Sequence, residues 1–310
     1  MFLDKQYKSI FVLNLHHITS SQTIHWVKDN LDAINEKILK HGGILLRGTG
    51  LEELSCFEAI SNIILKEILK YEGGITPRTQ LSPFVYTSTD YDQNKPIPLH
   101  NECAYDTKWP DKILFFCIQP AERGGETILA DSKKILKHIG EDIYKLLKNN
   151  NLVYVRHYNE KNGSHWKNAF RCKTVYELIK ILNKKKIQYN WDENQQNLTT
   201  FISKKGIIQH PTTKEDVWFN QVILFNPQFK AVTVDHSPPR ETSLPIRDIY
   251  FENGMTINKR IFSTIKETYD KCEIRFTWEK GDLLILDNML MSHGRSPYEG
   301  NRKIVVSMGK

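Results

Sequence analysis

Apolar residues at Ile24, Val27, Leu31, Ile34, Ile38 and Leu39 recur with a helical period, which predicts a helix over 23–40. Gly42-Gly43 ends it, because glycine takes the left-handed closing conformation without a Cβ clash. Ile44-Leu45-Leu46-Arg47 reads as a short buried strand. Leu54, Phe57, Ile60, Ile64, Ile68 and Leu69 repeat the helical spacing over 51–70, closed by Gly73-Gly74. The pattern then shifts to strands, at Phe84–Ser88, Ile97–His100, Ile113–Ile118 and Thr127–Ala130. Asp131-Ser132 is placed to cap a helix running to about Asn149, and a further helix is expected over 173–186. Late strands are expected at Glu273–Trp278, Leu283–Asp287 and Lys303–Met308, with Glu279-Lys280-Gly281-Asp282 as a tight turn. The order predicts a β-rich α+β protein with a jelly-roll core of the cupin type and flanking helices. No repeat or linker divides the chain, so 1–310 reads as one domain, helical over about 1–75 and jelly-roll with insertions over about 76–310.

Composition narrows this only a little. A hydrophobic fraction of 40% in 310 residues is ample for a core. No run of eighteen apolar residues suggests a membrane span, and the N-terminal stretch lacks a charged-then-apolar leader, so a cytoplasmic protein is expected. The five cysteines (Cys56, Cys103, Cys117, Cys172, Cys272) are odd in number and show no C-x-x-C spacing, which suits free thiols in a reducing compartment. The net charge of +7 comes from dispersed lysines. It reads as a solvated surface or as a face for an acidic carrier protein. No nucleic-acid module is present.

The chemistry lies in two separated segments. His100-Asn101-Glu102 sits in PLHNECAYDTKWP, and His293 in LDNMLMSHGRSPYEGNR. Residues i and i+2 of a strand point to one side, so His100 and Glu102 can face one metal with His293 closing the set. Two histidines and a carboxylate on one face hold non-haem Fe(II) and leave positions open for a bidentate co-substrate and O2. An H-x-E alone is common, and the neighbourhood adds the weight. Arg302 follows His293 by nine positions, and its fork suits a bidentate grip on a carboxylate. Gly124-Gly125-Glu126-Thr127 supplies a hydroxyl for the same carboxylate. Zn(II) would accept these ligands too, in a hydrolase or lyase, but would leave Arg302 and Thr127 without a use. A non-catalytic cupin-like binding protein is the third reading.

The ordered segments Thr76-Pro77-Arg78-Thr79, Val85–Thr89, His100-Asn101-Glu102, Trp109-Pro110, Phe116-Cys117 and Pro120–Thr127 carry a wider likeness. His210-Pro211-x-Thr213, Val217–Gln221, Gly281-Asp282, Leu286-Asp287-Asn288, His293-Gly294-Arg295 and Gly300-x-Arg302 continue it. From about residue 40 onward the chain resembles the taurine dioxygenase-like and clavaminate synthase-like Fe(II)/2-oxoglutarate dioxygenases, nearest to their SyrP-like branch, that of the syringomycin-pathway aspartyl hydroxylase. The resemblance implies a double-stranded β-helix. It implies His100, Glu102 and His293 as iron ligands, and Arg302 with Thr127 on the distal carboxylate of 2-oxoglutarate. It further implies hydroxylation of an aliphatic C–H of an amino acid or derivative, free or tethered to an acyl or peptidyl carrier protein, in a biosynthetic pathway. Desaturation or cyclisation would need only another fate for the substrate radical. Glu102 argues against a halogenase, which requires a small residue there. Asn226, and Phe251-Glu252-Asn253-Gly254, depart from the relatives' pattern where substrate pockets vary.

Several residues keep two readings. Arg295 is expected near the 2-oxoglutarate or substrate carboxylate, or in a structural ion pair. Arg78 is expected on a substrate carboxylate or in a proline turn. Trp218 and Asn220, as alternate residues of a strand, would line the pocket or pack the core. Asp287 would support the site or the turn before His293, and His210 is expected to set the fold. Cys103 is expected to point away from the metal face.

Overall fold

The computed structural model describes residues 10–16, 18–70, 78–159, 165–192, 197–229 and 246–310. In chain order its strands are β1 (Phe11–Asn14), β2 (Gly43–Arg47), β3 (Tyr86–Thr87), β4 (Ile97–His100), β5 (Lys112–Gln119) and β6 (Arg123–Gly124). Next come β7 (Thr127–Asp131), β8 (Leu152–Tyr158), β9 (Gln188–Asp192), β10 (Asn197–Lys204), β11 (Ile207–Gln209) and β12 (Asp216–Trp218). The last are β13 (Arg247–Phe251), β14 (Ile274–Phe276), β15 (Leu283–Asp287), β16 (Met291–Arg295), β17 (Tyr298–Glu299) and β18 (Lys303–Gly309). The helices are α1 (Ser20–Asp29), α2 (Leu31–His41), α3 (Leu54–Ile64), α4 (Ser132–His138), α5 (Glu141–Asn149), α6 (Trp166–Phe170), α7 (Val175–Lys184), α8 (Val222–Phe225) and α9 (Lys259–Cys272). None is long and apolar enough to cross a membrane.

Two sheets make the frame of the site. One runs β1-β2-β15-β5-β18-β3, the other β14-β7-β16-β4. Leu45, Phe115, Leu284 and Val306 of the first pack with Leu129, Met291 and Phe276 of the second in one buried cluster. The opposite face of the first sheet is covered by Val27, Ile34, Ile38, Phe57 and Ile60 of α1–α3. The opposite face of the second meets α4, α5, α8 and α9 and the sheet β13-β8-β10-β9. Strands buried on both faces read as continuous apolar runs, as in LLIL of β15.

Several boundaries move. The helix expected over 23–40 is two, divided at Asn30, whose side-chain amide donates to Trp26 O at 2.9 Å. Asparagine competes for backbone partners and so breaks helices. The helix expected to 70 stops at Ile64, because the C-terminal strand takes the next backbone groups. Lys66 N donates to Lys310 O and Leu69 N to Met308 O. Gly73-Gly74 lie outside the described residues. Gly140, at φ +84°, divides the helix expected over 132–149. The front of the chain is not purely helical either: β1 and β2 join the six-stranded sheet, β2 directly beside β15.

Candidate metal centre

β16 pairs antiparallel with β4, and His293 falls opposite His100. Their rings stand 4.5 Å apart. Glu102 follows β4, and its Oε2 lies 3.9 Å from His100 Nε2 and 3.8 Å from His293 Nε2. One donor atom from each of the three lies within 4.8 Å of the other two, and all three side chains are buried. Donors bonded at about 2.0–2.2 Å to a shared ion stand roughly 3–4 Å apart, so the cluster fits one metal.

The electrostatics suit a cation. His100 Nδ1 faces Pro98 O at 2.8 Å. A carbonyl only accepts, so Nδ1 carries the proton and the Nε2 lone pair faces the centre. Burial, with His293 adding, lowers the His100 pKa to about 4, so the ring is neutral at ordinary pH. Burial alone would raise the pKa of Glu102. Arg78, 2.7 Å from Oε2, and the two histidines outweigh it and hold the carboxyl well below the usual range.

The ligand segment is pinned from several sides. Asn288 Oδ1 accepts from Glu102 N (2.7 Å), and Asn288 Nδ2 donates to Glu102 O and Pro110 O (both 2.9 Å). Asn101 Nδ2 donates to Asn288 O, and Gln221 Nε2 donates to Asn101 O, each at 2.8 Å. Cys103 takes φ +57°, and its Sγ lies 3.7 Å from Glu102 Oε1. Cys103 lines neither cavity beside the cluster and lines a separate one with Tyr105 and Asp106, its Sγ lying by the Glu102 oxygen that is not the one nearest the histidines. At Gly294 a Cβ would stand 2.4 Å from Ile97 O, so only glycine lets β4 approach β16 this closely.

Beside the cluster lies a cavity lined by Arg78, His100, Thr127, His293, Arg295 and Arg302. Arg302 Nε donates to Gly125 O at 3.0 Å. Among the described residues no carboxylate pairs with this guanidinium. Burial, with Arg295 adding, lowers its pKa to about 10, so it stays a cation at neutral pH. Thr127 Oγ1 accepts from Trp278 Nε1 at 3.0 Å. Since indole only donates, the hydroxyl proton is left to donate elsewhere. Trp278, which orients that hydroxyl, and Asn288 both escape a reading of the chain by spacing; the L-D-N run before the histidine segment is the one hint of Asn288.

The remaining candidates fall elsewhere. Arg295 lines the cavity, but its guanidinium donates to Tyr91 O (3.2 Å), Asp92 O and Lys95 O (both 2.6 Å). These bonds secure the 91–95 turn against β16, and no ion pair holds Arg295 among the described residues. Arg78 lines the cavity and holds Glu102 Oε2 through one Nη. The structure does not bring Trp218 and Asn220 to either cavity beside the cluster. Trp218 is fully buried and donates to Tyr269 Oη at 2.7 Å. Asn220 lies past the end of β12, where its amide donates to Gly206 O and its Oδ1 accepts from Val222 N. Gln221, the next residue, lines a second cavity with His100 and Glu102. His210 does set the fold. Its Nδ1 accepts from Thr213 N, so Nε2 donates to Asp287 Oδ2 at 3.0 Å. Asp287 Oδ1 in turn caps Met289 N and Leu290 N in the turn before β16.

A buried two-histidine, one-carboxylate cluster beside a guanidinium that no carboxylate of the described residues pairs is the layout of a non-haem iron oxygenase that also holds a dicarboxylate. The taurine catabolism dioxygenase TauD, TfdA family matches residues 17–308, and the chain belongs to that family. It is an Fe(II)- and 2-oxoglutarate-dependent dioxygenase. It is 32% identical over 282 residues to the dapdiamide synthesis protein DdaC of Enterobacter agglomerans, covering 89% of this chain and 84% of that one. It is 24% identical over 301 residues to a clavaminate synthase-like protein of Arabidopsis thaliana, covering 94% and 87%. Among solved structures, PvcB of Pseudomonas aeruginosa superposes with a TM-score of 0.54 at 13% identity, covering 96% of this chain and 85% of that one. PvcB is an Fe, alpha-ketoglutarate dependent oxygenase from an isonitrile synthetic pathway. A putative alpha-ketoglutarate-dependent taurine dioxygenase of Burkholderia xenovorans superposes at 0.55 with 12% identity, covering 96% and 86%. At these identities the structural likeness establishes the mixed α+β fold alone.

Proposed function

We propose that this dioxygenase hydroxylates an aliphatic C–H of an amino acid or amino-acid derivative, free or carrier-tethered, in a biosynthetic pathway. The observation that carries the iron chemistry is the guanidinium of Arg302, without a carboxylate partner among the described residues, in one cavity with the His100–Glu102–His293 cluster. His100, Glu102 and His293 hold the iron, and Arg302 with the Thr127 hydroxyl binds the distal carboxylate of 2-oxoglutarate. Bound iron supplies O2 activation, and the balance is substrate, O2 and 2-oxoglutarate going to hydroxylated substrate, succinate and CO2. The protein's residues do the rest. Arg302 fixes the co-substrate end to end, the neutral His100 presents a lone pair, and Arg78 keeps Glu102 ionised and oriented. Phe115 and Ile304 complete the cavity wall with apolar surface that limits water.

The two stacked sheets are read as the double-stranded β-helix, and the whole chain as one catalytic domain. The amino-acid class and the SyrP-like placement draw support from the sequence motifs and from likeness to a protein of dapdiamide synthesis. Desaturation or cyclisation uses the same site. The reading is tested by anaerobic titration of metal-free protein with Fe(II) and 2-oxoglutarate, following the visible charge-transfer band of a chelated keto acid. Wild type gives the band, His100→Ala loses it, and Arg302→Ala needs far more 2-oxoglutarate. A folded, iron-loaded wild type without the band would return the zinc-enzyme and binding-protein readings.

A further inference from the structure

His100 also lines a second cavity, whose other walls include Glu102, Tyr105, Gln221, Arg247 and Phe229. Two polar groups there are unmatched. One Nη of Arg247 is buried and has no hydrogen-bond partner among the described residues. Nor does a carboxylate of those residues pair with it. On β13 it stands directly opposite Arg156 of β8, and like charges facing each other across a strand pair are destabilising. Burial, with Arg156 adding, lowers its pKa to about 10, so it remains a cation at neutral pH. The second group is Gln221 Oε1. The Nε2 of that amide donates to Asn101 O, which fixes the end that carries the oxygen, and Oε1 is buried without a donor.

A buried cation and a buried acceptor are each costly when left unsatisfied. The Arg247 guanidinium stands over the Phe225 ring of α8, 5.8 Å from its centroid, a contact that gives the buried Nη no hydrogen bond. A single ligand bearing a carboxylate and an adjacent N–H satisfies both; 2-oxoglutarate has no N–H to give Gln221, so the ligand that fits is a substrate. We propose that Arg247 and Gln221 form the substrate's head-group site: Arg247 binds a free carboxylate and Gln221 Oε1 accepts an N–H of the adjacent amino group. The substrate is then an α-amino acid whose side chain lies along Leu224, Phe229 and Ile97 toward the metal ligands. This rests on the function proposed above and chooses between its two substrate modes. A carrier-bound thioester would have lost the α-carboxylate that Arg247 takes.

The test uses the full chain loaded anaerobically with Fe(II) and 2-oxoglutarate. The visible band, recorded before further addition, reports the iron and 2-oxoglutarate reading by itself. Its absence overturns both proposals; its presence with a negative titration overturns this one only. The loaded protein is titrated with proteinogenic L-amino acids, their primary amides and their des-amino acids, following perturbation of the band. At least one amino acid perturbs it, and its amide and des-amino analogue each bind about tenfold or more weakly. Arg247→Gln weakens the amino acid by a similar factor and leaves the amide unchanged. Equal binding of acid and amide, equal binding to wild type and variant, or no active amino acid overturns the proposal. Stability gives an independent reading. Removing a buried cation that faces Arg156 should raise the melting temperature of the ligand-free Arg247→Met protein, on the order of 2 °C. A structural arginine would lower it, and that result also overturns the proposal.

Discussion

Arg78, at 2.7 Å, is the largest of the charges that keep Glu102 ionised, ahead of His293 and His100. The folded-state pKa is depressed, so the pair stabilises the fold above the ordinary carboxylate value of 4.5 and loses that contribution as pH falls below it. Arg78→Ala leaves a buried carboxylate without its cation and should cost the metal-free protein about 3–5 kcal/mol at neutral pH. The cost should shrink as pH is taken below about 4, where Glu102 of the variant is neutral. Mn(II), replacing the lost positive charge, should raise the melting temperature of the variant more than that of wild type. Thermal melts followed by circular dichroism at neutral and acid pH, with and without Mn(II), check this. An equal loss at both pH values would show that Arg78 acts through packing alone. Residue identity made Arg78 a plausible anion binder, and it does bind an anion. That the anion is the protein's own metal ligand depends on where the turn before β3 folds back.

Among the elements, the pairing of β4 with β16 does the most for the site, since it sets His100 against His293. The pairing has a register irregularity between His293 and Arg295, and Gly294 lies within it. Gly294→Ala would place a Cβ 2.4 Å from Ile97 O and 2.8 Å from Ile128 Cγ1. The strands must part, at a cost of about 1–3 kcal/mol, and the two imidazoles part with them. The variant should keep its far-ultraviolet circular dichroism and lose most of its Mn(II) affinity, read by electron paramagnetic resonance. Wild-type affinity would show that the strands yield elsewhere. The strands bearing the ligands were legible because they are apolar runs bounded by turn residues. The sheet β13-β8-β10-β9 was not: in β9, QYNWD, Tyr189 and Trp191 do alternate with polar residues, but over five partly exposed positions only, too short a run to stand out. The helix breaks at Asn30 and Gly140 were missed for another reason: apolar spacing continues across a single breaking residue.

Across the whole molecule, the site joins two sheets. The metal cluster belongs to the four-stranded sheet, whereas Arg302 immediately precedes β18 of the six-stranded one. Metal and 2-oxoglutarate together should therefore stabilise the fold beyond either alone. A ligand at a hundred times its Kd contributes about 2.7 kcal/mol. With Mn(II) in place of iron, Arg302→Ala should keep the metal's increment in melting temperature and lose that of 2-oxoglutarate. Differential scanning fluorimetry measures both increments. A full 2-oxoglutarate increment in the variant would move the carboxylate site away from Arg302.

The sequence by itself determined the chemistry: three ligands, an arginine and a threonine are side-chain identities at motif spacings, and they can be read before any fold is known. It also determined the alternation of helical and strand segments, because burial imposes a period on local sequence. The tertiary structure decided which polar residues support the ligands and which face the second cavity. Asn288, Trp278, Gln221 and Arg247 gain their roles from partners distant in the chain, and Trp218 and Asn220 lose theirs for the same reason. A hydrogen bond is made by position in space, and residue spacing along the chain carries that position only within a single element.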